Sequence, residues 1–166
     1  MSNYAKIRKM DISNGPGVRV SLFVQGCPIH CPGCFNKETW NPDAGEPFTP
    51  EVKQKLLDLC SPDYIEGLSI LGGEPLWEGH GLQIAAEVAA AFKQRFPEKN
   101  LWVWTGFEWD EVKDLPIMEY IDVVVAGPFV QELADPTLKW RGSSNQAVID
   151  VKQMRENIKI LTNSEK

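Results

Sequence analysis

The stretch GCPIHCPGCFN, Gly26 to Asn36, places Cys27, Cys31 and Cys34 within eight residues, three of the four cysteines in the chain. Pro28, Pro32 and Gly33 between them favour a tight loop that wraps its thiolates around one centre. A cubane 4Fe–4S cluster offers four iron corners, so three cysteines leave one iron without a protein ligand. Catalytic zinc sites follow the same logic, keeping one position open for a reactant. Two other readings use the same residues. One is a structural zinc site completed by His30 or Cys60. His30 is awkwardly placed beside Cys31, and Cys60 ends a predicted amphipathic helix at an apolar position, where a buried free thiol is common. The other is a redox pair, Cys31 and Cys34, which leaves Cys27 unexplained.

Which reading applies depends on the compartment. The N-terminal MSNYAKIRKMDIS has no apolar run of a secretory signal, which places the protein in the cytoplasm. Thiols stay reduced there, and clustered cysteines read as metal or redox groups before disulfides. A net charge of -6 argues against general binding to nucleic acid or an anionic membrane. No apolar run approaches the roughly 20 residues of a membrane span. At 166 residues, without linker, repeat or low-complexity segment, the chain reads as a single domain over residues 1–166.

Strand-like and helix-like segments alternate. VRVSLFV (Val18 to Val24) reads as a strand, and the cysteine loop follows it. Thr49 caps a helix that opens on Pro50 and carries Val52, Leu56, Leu57 and Cys60 at helical spacing. GLSILGG is a buried strand, Leu82 to Phe96 a helix stopped by Pro97, LWVWTG a third strand, WDEVKDL a short helix and IDVVVAG a fourth strand. AVIDV suggests a fifth strand, and KQMREN a helical turn. The alternation predicts an α/β fold with parallel pairing through right-handed crossovers. Too few units are present for a closed eight-unit barrel, so the expectation is an incomplete (βα) barrel with a mostly parallel, curved sheet. Ligands gather at the carboxyl ends of such strands. The cysteine loop, GGEP, TG and AGPF each follow a predicted strand and should converge on one edge.

C-x3-C-x2-C after one strand and Gly-Gly-Glu-Pro after the next resembles the radical S-adenosylmethionine (SAM) enzymes. The ordered blocks NGPGVRVSLFVQGC, CPGCFNKETW, LGGEPL, VWTG, IDVVVAGPF and WRGSSNQ, from Asn14 to Gln146, narrow the resemblance to the glycyl-radical activase branch that serves anaerobic ribonucleotide reductase. Activases of other glycyl-radical enzymes, such as pyruvate formate-lyase, are the neighbouring reading. The resemblance implies a radical SAM domain with a 4Fe–4S cluster on Cys27, Cys31 and Cys34 and SAM on its open iron. An electron cleaves SAM to methionine and a 5′-deoxyadenosyl radical, which takes a hydrogen atom from a backbone glycine of the large reductase subunit. It further implies that Gly33, Cys34 and Phe35 lie against the adenine. The turn Gly72, Gly73, Glu74, Pro75 would receive the SAM amino group, Glu74 being an acceptor suited to an ammonium, and Thr105 would line the pocket. A flavodoxin-like electron donor is implied, and no residue is assigned acid–base work. The turn Asn14 to Gly17 and the loop Arg141 to Gln146 are expected near substrate or partner. Arg19, a charge within an apolar strand, needs a partner or solvent. Ala126 stands where the activase pattern is expected to carry Asp.

Overall fold

The computed structural model describes residues 2–164, with side chains through residue 157. The elements follow as β1 (Asn3–Asp11), β2 (Val18–Val24), β3 (Glu46–Pro47), α1 (Pro50–Leu59), β4 (Ile65–Gly72), α2 (Gly81–Arg95), β5 (Asn100–Thr105), α3 (Trp109–Val112), β6 (Val123–Ala126), β7 (Ala147–Asp150) and α4 (Val151–Ser164). They build a mixed α/β fold on one seven-stranded sheet of order β3-β1-β2-β4-β5-β6-β7. The four central strands β2, β4, β5 and β6 run parallel. β1 pairs antiparallel with β2 and β3, and β7 antiparallel with β6.

The helices form where local chemistry places them. Thr49 accepts a hydrogen bond from the Val52 amide, and Pro50, which has no N–H to satisfy, opens α1. α2 buries Ile84, Ala85, Val88, Ala89 and Phe92, the stripe expected of a 3.6-residue period. These residues meet Val20, Leu22 and Val24 of β2, Leu68 and Ile70 of β4, Leu101 and Val103 of β5 and Val124 of β6 in one core. Each fully buried side chain of this size contributes about 2 kcal/mol of transfer free energy. Lys93 of α2 reaches Asp122 at 2.6 Å, and the same carboxylate oxygen accepts the Leu101 amide, which fixes the helix to the start of β5.

The opposite face of the sheet is different. Phe23, Leu71, Trp102 and Val125 are buried there but lie outside that core, and every buried apolar residue of the described helices belongs to the other side. Loops cover this face instead. Arg19 is fully buried on it: Nε donates to Ser69 Oγ at 2.7 Å, and the two terminal nitrogens donate to Asn100 Oδ1 and to the Pro16, Leu68 and Asn100 carbonyls. Ser69 in turn donates to the Asn14 carbonyl, and Asp11 accepts from Ser13 N, Asn14 Nδ2 and Ser21 Oγ. The turn at residues 13–17 is thereby tied down onto the strands.

Three expectations change. β1 was not expected: NYAKIRKMD carries Lys6, Arg8 and Lys9, which mask the strand pattern and blunt its free edge. AVIDV is a strand, but antiparallel, because the segment leading to it holds no crossover helix. KQMREN is no isolated turn; it begins α4.

Candidate functional site

The loops leaving β2, β4, β5 and β6 converge on one cavity of about 360 Å³ at the carboxyl ends of the parallel strands. Cys27, Cys31 and Cys34 line it together with Phe35, Gly72, Gly73, Glu74, Thr105, Gly106 and Gly127. The four turns expected to meet do meet there. Gly33 and Pro75 are not part of the wall.

The cysteine loop is shaped by its backbone. The Gly26 amide donates to Thr39 O at 2.6 Å and the Cys27 amide to Trp40 O at 3.0 Å, closing the loop at its base. The Gln25 side chain spans it, donating to the Glu38 and Asn41 carbonyls. Gly26 has φ 103°, and a β-carbon there would meet Pro42 at 2.9 Å, so only glycine suits the turn. Backbone amides lie near all three sulfurs: those of Ile29 and His30 near Cys27, that of Phe129 near Cys31, and that of Asn36, which donates to Cys34 Sγ at 3.4 Å. Burial pushes the Cys27 and Cys31 thiols above the ordinary range, and these amides oppose that rise. The Phe129 contact joins the turn after β6 to the cysteine loop.

Glu74 lines the cavity, as its turn was expected to. Its side chain is 1% exposed, and both carboxylate oxygens accept hydrogen bonds within the protein. Oε2 accepts from Leu76 N at 2.9 Å and Thr105 Oγ1 at 2.7 Å, and Oε1 accepts from Gly106 N at 2.6 Å. The carboxylate therefore ties the turn after β4 to the turn after β5. Burial raises its pKa to about 7 despite those three donors. Oε1 accepts a single donor and Glu74 lines the cavity, so the carboxylate keeps acceptor capacity beside the backbone carbonyls of this turn. Gly72, with φ 109°, and Gly73 let the turn press against β2: a β-carbon on Gly73 would meet Gly26 O at 2.4 Å.

The remaining residues divide. The His30 ring stacks on Trp40 with centroids 4.4 Å apart and is not part of the cavity wall, so it supplies no fourth ligand there. Cys60 is fully buried in the apolar core, with its thiol pushed up to about 12. Arg19 has neither solvent nor a close carboxylate; serine, asparagine and carbonyl oxygens satisfy it. The loop 141–146 spends much of its polarity on itself. Gln146 accepts from the Gly142 and Ser143 amides and donates to Gly127 O, while Arg141 donates to the Ser144 and Gln146 carbonyls. Of the turn Asn14 to Gly17 only Asn14 lines the cavity, beside Ser13, which was not singled out, and Arg141 lines it from the other loop. Trp104, Leu138 and Trp140 also line it and were not singled out from the sequence. The period-2 alternation of LWVWTG, with Trp102 and Trp104 on one side, was the available signal.

The donor set suits a cluster. Three thiols sit on one loop, each within reach of an N–H group that favours its ionised form, and the fourth cysteine is sequestered elsewhere. A single zinc, with Zn–S near about 2.3 Å, would gather its sulfurs within about 4 Å of one another. Among the described residues, no three His, Cys, Asp or Glu side chains are gathered to hold a single ion. A four-iron cluster spreads its thiolates over separate corners.

Fold and site together define an iron–sulfur protein class: residues 13–149 match the family described as the 4Fe-4S single cluster domain. The chain is 43% identical over 145 residues to the anaerobic ribonucleoside-triphosphate reductase-activating protein of Enterobacteria phage T4, covering 87% of this chain and 91% of that protein. It is 41% identical to the protein of the same name from Escherichia coli (strain K12), over 88% of this chain and 97% of the relative. The Salmonella typhimurium protein of that name is 44% identical, over 87% and 96%. The chain belongs to the family of anaerobic ribonucleoside-triphosphate reductase-activating proteins.

Proposed function

We propose that this protein is a radical SAM activase that installs a glycyl radical on the large subunit of anaerobic ribonucleotide reductase. The observation that carries the reading is the three-thiol loop, its sulfurs flanked by backbone amides, at the mouth shared by four strand-end turns in a member of this family. Cys27, Cys31 and Cys34 would hold the 4Fe–4S cluster. When bound there, the cluster and SAM would supply the one-electron chemistry for taking a hydrogen atom from a glycine Cα of the partner, leaving a glycyl radical on it. The carbonyls of the Gly72–Gly73 turn would accept the SAM amino group. Glu74 holds that turn and the Thr105–Gly106 turn in register, and Phe35 would flank the adenine from the rim. Gly33 shapes the cysteine loop, its φ of 77° being one an L side chain rarely adopts. Pro75 fixes the turn.

The parallel centre with turns gathered at its carboxyl edge supports an incomplete (βα) barrel of the radical SAM type, and one domain over residues 1–166. Residues 1, 165 and 166 lie outside those described. No described helix is long and apolar enough to cross a membrane. The reading places the activase in the cytoplasm, with a flavodoxin-like protein as electron donor.

The test is anaerobic reconstitution with iron and sulfide, followed by electron paramagnetic resonance of the reduced protein with and without SAM. A 4Fe–4S signal that changes shape on adding SAM is expected, and a glycyl radical should appear on the reductase subunit but not on pyruvate formate-lyase. Tightly bound zinc and no acid-labile sulfide would sink the proposal.

A further inference from the structure

Two non-glycine residues have positive φ among those described, His30 at 51° and Trp140 at 68°. A bulky residue there is a strained outlier, and such strain persists only where its surroundings over-determine it. Both outliers fall on the same site. His30 bends the cysteine loop itself. Trp140 lies more than a hundred residues away in sequence and has no part in that loop, yet it lines the same cavity.

What holds Trp140 is visible. Its carbonyl accepts from Trp104 Nε1 at 2.6 Å, and its ring stands edge-on to Trp102 with centroids 5.9 Å apart. On its C-terminal side, Gln146 and Arg141 knit the loop to itself and to Gly127. Gly142 lets the rings of Phe129 and Phe35 come close: a β-carbon there would meet Phe129 at 3.0 Å and Phe35 at 3.5 Å. Phe35 and Phe129 are themselves 5.2 Å apart. Aromatic rings therefore line the cavity from Phe35 and Phe129 at the cysteine loop to Trp140, which stands against Trp102 on the loop-covered face of the sheet. Glycine at 140 would relax the backbone, but it would remove the indole from that wall.

Resting on the activase reading, we infer that Trp140 is a positioning residue, whose indole holds the glycine-bearing backbone of the partner in line with the cavity for hydrogen abstraction. A flat apolar ring suits that substrate. A glycine has no side chain to keep an indole away from its Cα, and it presents a flat peptide on either side. The neighbouring loop spends much of its polarity on itself, so the apolar wall competes little for the peptide's hydrogen bonds.

The experiment measures glycyl radicals formed on the reductase subunit per 5′-deoxyadenosine released, using the reconstituted full chain. Trp140→Asn keeps a residue that tolerates a left-handed backbone and removes the ring. The ratio is expected to fall about tenfold or more, as misplacement of a reacting atom costs. Trp140→Phe, which keeps a ring, should recover most of it. An unchanged ratio in Trp140→Asn would overturn the inference, since a purely structural role lowers yield of folded protein and not coupling. If that variant fails to hold iron, Trp104→Phe decides: it keeps the Trp140 ring, loses the hydrogen bond to its carbonyl and trims a neighbouring ring of the wall, and must also lower the ratio. The unsubstituted protein separates the two levels. Failure to cleave SAM, or cleavage without any radical on the subunit, rejects the activase reading and this inference with it. Normal loading by the parent alongside normal coupling in the variants rejects the inference alone.

Discussion

On β2, Val20, Leu22 and Val24 point into the core beneath the helices, while Arg19, Ser21 and Phe23 between them face the other way. The same alternation sets Leu68 and Ile70 of β4 against Ser69, and Leu101 and Val103 of β5 against Trp102 and Trp104. One face is sealed by apolar packing, which is non-directional and tolerates adjustment. The other is sealed by directional bonds from buried polar groups, Arg19 to Ser69 to Asn14 and Asp11 to Ser21 and Asn14. Directional bonds fix positions as well as adding stability. The face whose loops must hold a cavity in shape is the one built that way.

The largest test of that contrast compares cysteines. Cys34→Ala at the cavity is expected to abolish iron and sulfide content and SAM cleavage altogether. Cys60→Ser, under the helices, should keep full iron content and lose about 1–2 kcal/mol of stability, because a hydroxyl enters an apolar site. Iron analysis and denaturant unfolding read both. Loss of the cluster in the Cys60 variant would break the division between the faces.

Next come paired substitutions within the sheet. Leu68→Ala should cost about 3 kcal/mol through the cavity it leaves. Arg19→Met should cost about as much, roughly 3 kcal/mol, by leaving Ser69 and Asn100 without their charged donor. Only the second should free the turn at residues 13–17, seen as faster amide hydrogen exchange there. Equal exchange in the two variants would mean that the polar face positions nothing.

A smaller effect follows from Glu74. Its pKa rises from 4.5 to about 7 on folding, so the folded state holds a proton that the unfolded state has released. The stability this adds is complete below pH 4.5, declines as pH rises toward about 7, and is gone above it. Thermal unfolding of Glu74→Gln across that window should show a flatter slope than the parent. A parent with no slope there would place the carboxylate in an ordinary environment.

The smallest expected effect is Phe35→Ala. With 77% of its surface exposed, Phe35 should contribute less than about 0.5 kcal/mol to folding. SAM affinity should drop all the same if the ring flanks the adenine. Unchanged affinity by titration would remove Phe35 from the SAM site.

Much of this was legible in advance. Cys27, Cys31, Cys34, Gly72, Gly73, Thr105 and the turn after β6 were all expected at one edge, and the cavity lies there. Spacing along a loop and turns after strands are local properties, and the right-handed crossover rule turns them into a common edge. β1 escaped notice because its alternation is written partly in lysine and arginine. The Lys6 ammonium and Arg8 guanidinium lie over the Phe23 ring, at 4.6 and 5.2 Å from its centroid, in cation–π contact. The bridging of two turns by the Glu74 carboxylate was not legible, because a sequence shows an acceptor but not the donors that meet it.

The sequence by itself determined the ligand chemistry, the order of the elements and the family, since each is carried by residue types at short spacing. Only the tertiary structure decided how the two faces are used. It sent Arg19 inward, spent Glu74 on bridging two turns, and brought Trp140 over a cavity whose cysteines lie far away in the chain. Those outcomes depend on which partners meet across the sheet. Hydrogen-bond satisfaction and strain are set by three-dimensional neighbours and leave no periodic trace along the chain.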